Sequence, residues 1–279
     1  MQCENVAVDE AGSETANEAA RSGFLERPIV RHRGAQQSAG SDRVAEEMPV
    51  ALVFNGISHA VMMATPCDLE EFAVGFALTE GVVAARADIY DVEVRLLPTG
   101  AEVAATISQE AFIQLKGKRR ALAGRSGCGV CGIESLDMLD LVPEQMRSRA
   151  LPDDLAPAIE RAARELGAHQ QLMRATGGVH AAAWCAMNGA VLKVFEDVGR
   201  HNGLDKLIGH LAIQGTDMRQ GFVFLSSRAS YELARKSARM GIPMLATISA
   251  PSSLAIDIAA QAGMKLVSFC RQDGFVEYT

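Results

Sequence analysis

The chain has 279 residues, 48% of them apolar and 22% charged, with a formal net charge of -7 and a pI near 5.4. That length supports one large or two modest domains, and the acidic balance excludes the broad basic footprint of a nucleic-acid binder. No apolar run approaches the roughly 18 residues of a membrane span, and the N-terminus is polar and acidic where a secretory leader is basic and then apolar. A cytoplasmic protein with no membrane or nucleic-acid partner is expected.

Residues 1–24 are small, acidic and without hydrophobic period, which predicts a disordered tail. A first α+β domain is expected over 25–124. It begins with short alternating runs from Pro28 and then "VALVFNGISHAVMMAT", two strands about an Asn55-Gly56 turn that accepts positive φ. A helix follows in "TPCDLEEFAVGFALTEGV", with Thr65 or Asp68 as its N-cap, an apolar face of Leu69, Phe72, Phe76 and Leu78, and a stop near Gly81. The runs "IYDVEVRLLP" and "EVAATISQ" read as two further strands. His59 and Cys67 stand alone and read as packing residues.

The next stretch, "LKGKRRALAGRSG", reads as an exposed basic loop, and it leads into "RSGCGVCGIESLDML" ahead of a helix. Of six cysteines, only Cys128 and Cys131 have motif spacing, so free thiols with one chemical pair are expected rather than a disulfide framework. Zinc needs four ligands, and His180, Cys185 and His201 would have to complete the set at no recognised spacing. A thioredoxin-type redox pair belongs directly after a strand, and the residues ahead of this one are polar. A sulfur relay needs a stabilised thiolate on a hinged arm. Lys116, Lys118, Arg119, Arg120 and Arg125 and the following helix would supply the first, and Gly124, Gly127, Gly129 and Gly132 the second. A purely structural pair is the bland alternative.

Beyond the polar link "LPDDLAP" the pattern changes. Strands at 190–195, 221–225, 243–248 and 265–270 alternate with helices at about 203–211, 230–240 and 253–262. This predicts an α/β domain over 125–279 built on a largely parallel sheet. Ligands in such sheets bind beyond the carboxyl ends of the strands, and those ends carry "EDVGRHN", "SSRAS", "SAPSS" and "CRQDG". Asn202, Ser230 and Ser252 or Ser253 are candidate caps of helices aimed at an anion, and Arg200, Arg228 and Arg271 add cationic charge. Asp197 and Asp205 are candidate acceptors for guanine N1 and N2, with capping as the other reading of Asp205. Thr176, Gly177, Gly178 and His180 read as a tight turn into the same pocket.

"SGCGVCGIESL", "TGGVHAAAWC", "EDVGRHNGLDKLIG", "SSRASYELARKSARMGIP" and "SAPSSLAIDIA", in this order, resemble the FdhD family of formate dehydrogenase accessory sulfurtransferases, over most of residues 25–279. The resemblance implies a cytidine deaminase-like C-terminal domain with a smaller α+β N-terminal domain, and a homodimer. It implies a sulfur carrier that takes sulfur from a cysteine desulfurase and passes it to the molybdenum or tungsten of a bis(molybdopterin guanine dinucleotide) cofactor before that cofactor enters formate dehydrogenase. GDP would serve as a partial analogue. Carried over by position, Cys128 holds the persulfide with Cys131 as its partner, and the cofactor segment falls on Phe269, Cys270, Arg271, Gln272, Asp273 and Gly274. The rim adds Thr176, Gly177, Gly178, His180, Asp197, Arg200, His201, Asn202, Ser227 and Arg228. A zinc-dependent nucleotide deaminase-like hydrolase is the alternative, although "HAAAW" has alanine where a His-x-Glu motif has its glutamate. A cofactor-binding chaperone with incidental cysteines is a third reading.

Overall fold

The computed structural model describes residues 22–119, 151–152 and 154–279. Cys128, Cys131, the glycines and basic residues from 120 to 132, and the helix expected after them lie outside the described residues, as do residues 1–21 of the expected tail.

Phe24 opens β1 (Phe24–Arg33), which pairs antiparallel with β2 (Gln36–Ala45), and most of both strands is exposed. The alternating runs read from Pro28 onward fall in this hairpin, whose bounds were not legible because most of its residues are polar and neither face is buried. The expected hairpin follows as β3 (Met48–Phe54) and β4 (Ile57–Ala64), with both turn residues, Asn55 and Gly56, at positive φ. With β5 (Ile89–Leu97) and β6 (Gly100–Ile107) it forms a four-stranded sheet in the order β4-β3-β6-β5. His59, half-buried, packs edge-on between Phe54 and Phe76, as expected of a packing residue.

The expected helix is α1 (Leu69–Thr79), with Asp68 at its N-cap position as expected. Asp68 sits in the left-handed region and caps nothing with its side chain. Thr65 instead turns its backbone and hydroxyl towards the C-terminal half of the chain. Nor is α1 one-sided, since nine of its residues are buried. It lies between the four-stranded sheet and α5 (Arg200–Ile213). The two helices touch through glycine. A Cβ on Gly75 would stand 1.7 Å from the Asp205 carbonyl oxygen, and one on Gly209 would stand 1.9 Å from that of Glu71. The basic stretch read as a loop is helical in its first part, because α2 (Gln109–Arg119) buries Leu115 and lays Lys116 over the Phe112 ring.

Two more helices, α3 (Ala156–His169) and α4 (Gln171–Thr176), precede the second sheet where the sequence reading had only a link. Six strands follow: β7 (His180–Ala186), β8 (Val191–Asp197), β9 (Gly221–Leu225), β10 (Met244–Thr247), β11 (Lys265–Arg271) and β12 (Gly274–Glu277). Their order is β12-β11-β10-β9-β7-β8. β9, β10 and β11 run parallel to one another; β7 is antiparallel to both β8 and β9, and β12 to β11. The sheet is therefore mixed, half-way to the parallel one expected. α3 covers one face; α5, α6 (Tyr231–Arg239) and α7 (Ser253–Ala262) cover the other. Among the described residues no helix is long and apolar enough to cross a membrane.

Candidate functional site

The carboxyl ends of β8, β9, β10 and β11 lie on one edge of the six-stranded sheet, together with the amino end of β7. At about 4.8 Å per strand, the five strands make a rim roughly 19 Å long. Its loops are stitched to each other. Ser226 N–H donates to the Ala181 carbonyl, and Ala181 N–H to Ser226 Oγ. Ala229 and Pro251 form a parallel bridge, Ser252 N–H donates to the Ala229 carbonyl, and Phe269 N–H reaches Ser249 O at 3.4 Å. The stretches "EDVGRHN", "SSRAS", "SAPSS" and "CRQDG" thus converge as expected, and the amino ends of α5, α6 and α7 open onto them.

The helix caps divide. Ser252 caps α7, accepting from Ala255 N–H at 3.3 Å. Ser230 occupies the N-cap position of α6, and its Oγ is buried without a hydrogen-bond partner. Asn202 does not cap α5, which starts earlier, at Gly199. Its buried side chain donates instead to Asp197 Oδ1 and the Met63 carbonyl, 2.9 and 2.8 Å away.

Both aspartates proposed as guanine acceptors are likewise committed elsewhere. Asp197 is fully buried. Its Oδ1 accepts from Gly199 N–H and Asn202, and its Oδ2 from Thr65 N–H and Lys206 Nζ, at 2.7 to 3.0 Å. Lys206 also donates to the Thr65 carbonyl, and Thr65 Oγ1 accepts from Val198 N–H. Asp205 neither caps its helix nor faces the rim. Lys236 Nζ donates to both of its oxygens, at 2.8 and 2.7 Å, and Thr79 donates to Oδ1 at 2.7 Å. Lys236 reaches Glu80 too, at 2.9 Å, with Arg235 on that carboxylate's other oxygen. Burial works against the Lys236 charge, but Asp205 and Glu80 hold its pKa above the ordinary value. Burial likewise works against Glu80, yet Lys236 and Arg235 bring it down to about 2.

The remaining candidates stay at the rim. Thr176 ends α4, accepts from Gly178 N–H, and precedes Gly177 at φ 68°, so the tight turn into β7 forms. His180 opens β7 opposite Asp197 and is half-buried; desolvation and then Arg200 lower its pKa, which favours the neutral imidazole. Arg200 and His201 form the half-buried first turn of α5, and Arg200 Nε and His201 Nε2 are buried without a hydrogen-bond partner. Ser227 is buried and donates to the Arg228 carbonyl, while Arg228 is exposed. Phe269 is 40% exposed at φ 55°; Arg271, Gln272 and Asp273 are exposed, and Gly274 opens β12. Cys270 differs: its side chain lies in the core beneath α3, and burial pushes its thiol up to about 12.

The zinc set does not assemble. His180 and Cys185 lie five residues apart along β7, roughly 17 Å at about 3.4 Å per residue. Cys185 is buried, and burial raises its pKa. Among the described residues there is no group of three or more potential metal-ligating side chains.

One rim residue escaped the sequence reading. Glu232, in the first turn of α6, stands 3.8 Å from His201 Nε2 with its side chain 15% exposed. Burial opposes its charge, but His201 and Ser230 beside it hold its pKa at about 2. Its signal is an acidic residue two positions after a helix-capping serine, too common to single out.

Residues 45–279 match the FdhD/NarQ family. A sulfur carrier protein FdhD from Chromobacterium violaceum is 65% identical, covering 92% of this chain and 96% of its own. That from Burkholderia mallei is 63% identical over the same shares, and that from Acinetobacter baylyi 48% identical over 98% of this chain and 99% of its own. A crystal structure from Desulfotalea psychrophila, described as that of a formate dehydrogenase accessory protein, superposes with a TM-score of 0.68 at 24% identity, covering 92% of this chain and 96% of that one. That last likeness speaks to the fold.

Proposed function

The chain belongs to the FdhD/NarQ family, and on that footing we propose that it is a cytoplasmic sulfur carrier for formate dehydrogenase, working as a homodimer. The observation that carries the reading is the rim. Three helix amino ends, the exposed Arg228 and Arg271, and the orphaned Arg200 Nε suit a long, pyrophosphate-bearing ligand. The substrate is the molybdenum bis(molybdopterin guanine dinucleotide) cofactor, or its tungsten counterpart, held by its nucleotide arms along this edge. The sandwich of α3, the mixed sheet and α5 to α7 is the cytidine deaminase-like domain without deaminase chemistry, since Ala182 stands where His-x-Glu would place its glutamate.

Cys128 acts first. Its thiolate attacks the outer sulfur of the desulfurase's cysteine persulfide, forming the Cys128 persulfide and releasing the desulfurase thiolate. Delivery as sulfide balances if the Cys131 thiolate then attacks the inner sulfur of Cys128. The S–S bond of the persulfide breaks as a Cys128–Cys131 disulfide forms, and the two electrons lost by the cysteine sulfurs leave with the outer sulfur as sulfide for the metal. A cellular dithiol reduces the disulfide for the next cycle.

Mass spectrometry after incubation with a cysteine desulfurase and cysteine tests this. One added sulfur is expected on the peptide containing Cys128, none in Cys128→Ala, and no activation of formate dehydrogenase by that variant. Full activation by Cys128→Ala would remove the relay.

A further inference from the structure

We infer that the β1–β2 hairpin is a docking arm whose occupant is a second copy of this chain, received along the open edge of β5. The inference rests on the reading that the protein is a homodimer, and it assigns the surface. Ten rungs join β1 to β2, and among the described residues no third strand joins them. Apart from Phe24, Ile29 and Ala45, every residue of both strands is exposed. A two-stranded hairpin with no covered face is marginal in water, so an arm this long needs a surface to lie on. Its own body supplies only the root. A Cβ on Gly178 would stand 3.7 Å from that of Ala45, one on Gly23 would stand 3.2 Å from Leu172 Cδ2, and α4 packs on both strands. Beyond the root, alternation puts Leu25, Ile29, Arg31 and Arg33 on one face.

Charge selects the occupant. The arm carries four arginines against Glu26 and Asp42 in a chain whose net charge is -7, so the rest of the chain is strongly acidic. Arm against arm would set arginines against arginines; arm against body is attractive. β5 offers the complementary strip. Among the described residues it pairs with β6 alone. Tyr90, Leu96 and Leu97 on it are exposed, and residues 86–110 hold five carboxylates against two arginines. Carboxylates on an open edge deter a neutral or acidic strand and admit one that brings arginine. Arg31 and Arg33 are two positions apart, as are Asp91 and Glu93, so each pair lines one face of its strand. Seated reciprocally about a twofold axis, each copy contributes the 10-residue strands of its arm and the 9 residues of its β5. That is within the roughly 20–30 residues a side of a stable interface.

Sedimentation equilibrium of the full chain decides it. The wild type should dimerise, more weakly as salt rises. Arg31→Glu with Arg33→Glu, and separately Asp91→Arg with Glu93→Arg, should each weaken the dimer by about tenfold or more and leave the circular dichroism spectrum unchanged. Mixing the two variants should restore it, because in the mixed dimer each arm again meets opposite charge. Misfolded chains would not recover in this way. A wild-type dimer that either variant leaves intact overturns the inference, with the homodimer still standing. Two weakened variants that fail to recover on mixing overturn it too, because arm and β5 are then not partners. A monomeric wild type removes the homodimer reading itself, and the inference with it.

Discussion

The helices α5 and α6 bring charged groups into two regions, a seam and a rim about one helical turn apart, where they have opposite fates. In the seam against α1, Asp205, Lys236, Thr79 and Glu80 form a closed set in which Lys236 Nζ meets acceptors on three residues and each Asp205 oxygen is filled. Asp197, Lys206, Asn202 and Thr65 form a second closed set alongside. At the rim, Arg200, His201, Ser230 and Glu232 are of the same chemical types, yet three of the four leave a buried polar atom unpaired. A fully satisfied buried network fixes how two layers pack. The seam's margin is less complete, since Arg235 Nε and Ser237 Oγ on α6 are also buried without a partner, and it is at the rim that the proposed function puts a ligand. The seam holds the rim in place, since Asp197 ties the start of α5 to the segment before α1.

Breaking the closed set should have the largest effect. In Lys236→Met, Asp205 loses its counter-charge while remaining buried, a change that typically costs about 3–5 kcal/mol. Urea unfolding should show the loss, and adding Asp205→Asn should recover part of it. Recovery of nothing would mean that Lys236 acts by packing alone. Acid attacks the same seam more gently. The Glu80 pKa is lowered from 4.5 to about 2, so its contribution is complete above pH 4.5 and is lost as the pH falls towards 2. The magnitude is on the order of 3 kcal/mol. Glu232 adds a rim contribution of the same sign, and Asp205, whose pKa burial raises, one of the opposite sign, so the part of the acid loss that Glu80→Gln removes is the share of Glu80 itself. An unchanged acid profile in Glu80→Gln would place the titration outside the seam.

This contrast also explains what the sequence could and could not convey. The strand-end rim was legible because β9 and α7 fall where the periodicity predicts them and the loops between them are rich in polar residues. Helical phase was not legible. Within "EDVGRHNGLDKLIG", residues 202, 205, 206 and 209 follow an i, i+3, i+4, i+7 stripe that turns inward, carrying Asn202, Asp205 and Lys206 into the seam, while Arg200 and His201 stay at the rim. Charged residues on a buried stripe read as surface until the partner helix is known, and α1 is over a hundred residues away. The antiparallel β7 was missed because "HAAAWCA" lacks β-branched residues. Its alanines leave room where Gly203 of α5 lies near the His180 carbonyl.

The gentlest prediction on the fold is the sharpest on the comparison. Arg228 is exposed, its side chain takes part in none of the seam's bonds, and its carbonyl accepts from Ser227 whatever the side chain is. Arg228→Ala should therefore shift stability by no more than about 0.5 kcal/mol, as for an ordinary surface position. Its effect belongs to binding. If the diphosphate crosses Arg228, affinity should fall by about 1.5–3 kcal/mol, the usual worth of a hydrogen bond to a charged group. The loss should be the same for GDP and ADP, because the phosphates are common to both. Titration calorimetry with both nucleotides, beside a urea curve, separates the outcomes. Lost stability with retained binding would make Arg228 part of the closed seam. Unchanged binding of both nucleotides, in Arg228→Ala and equally in Arg271→Ala, would move the phosphates off the rim and undo the division on which the comparison stands.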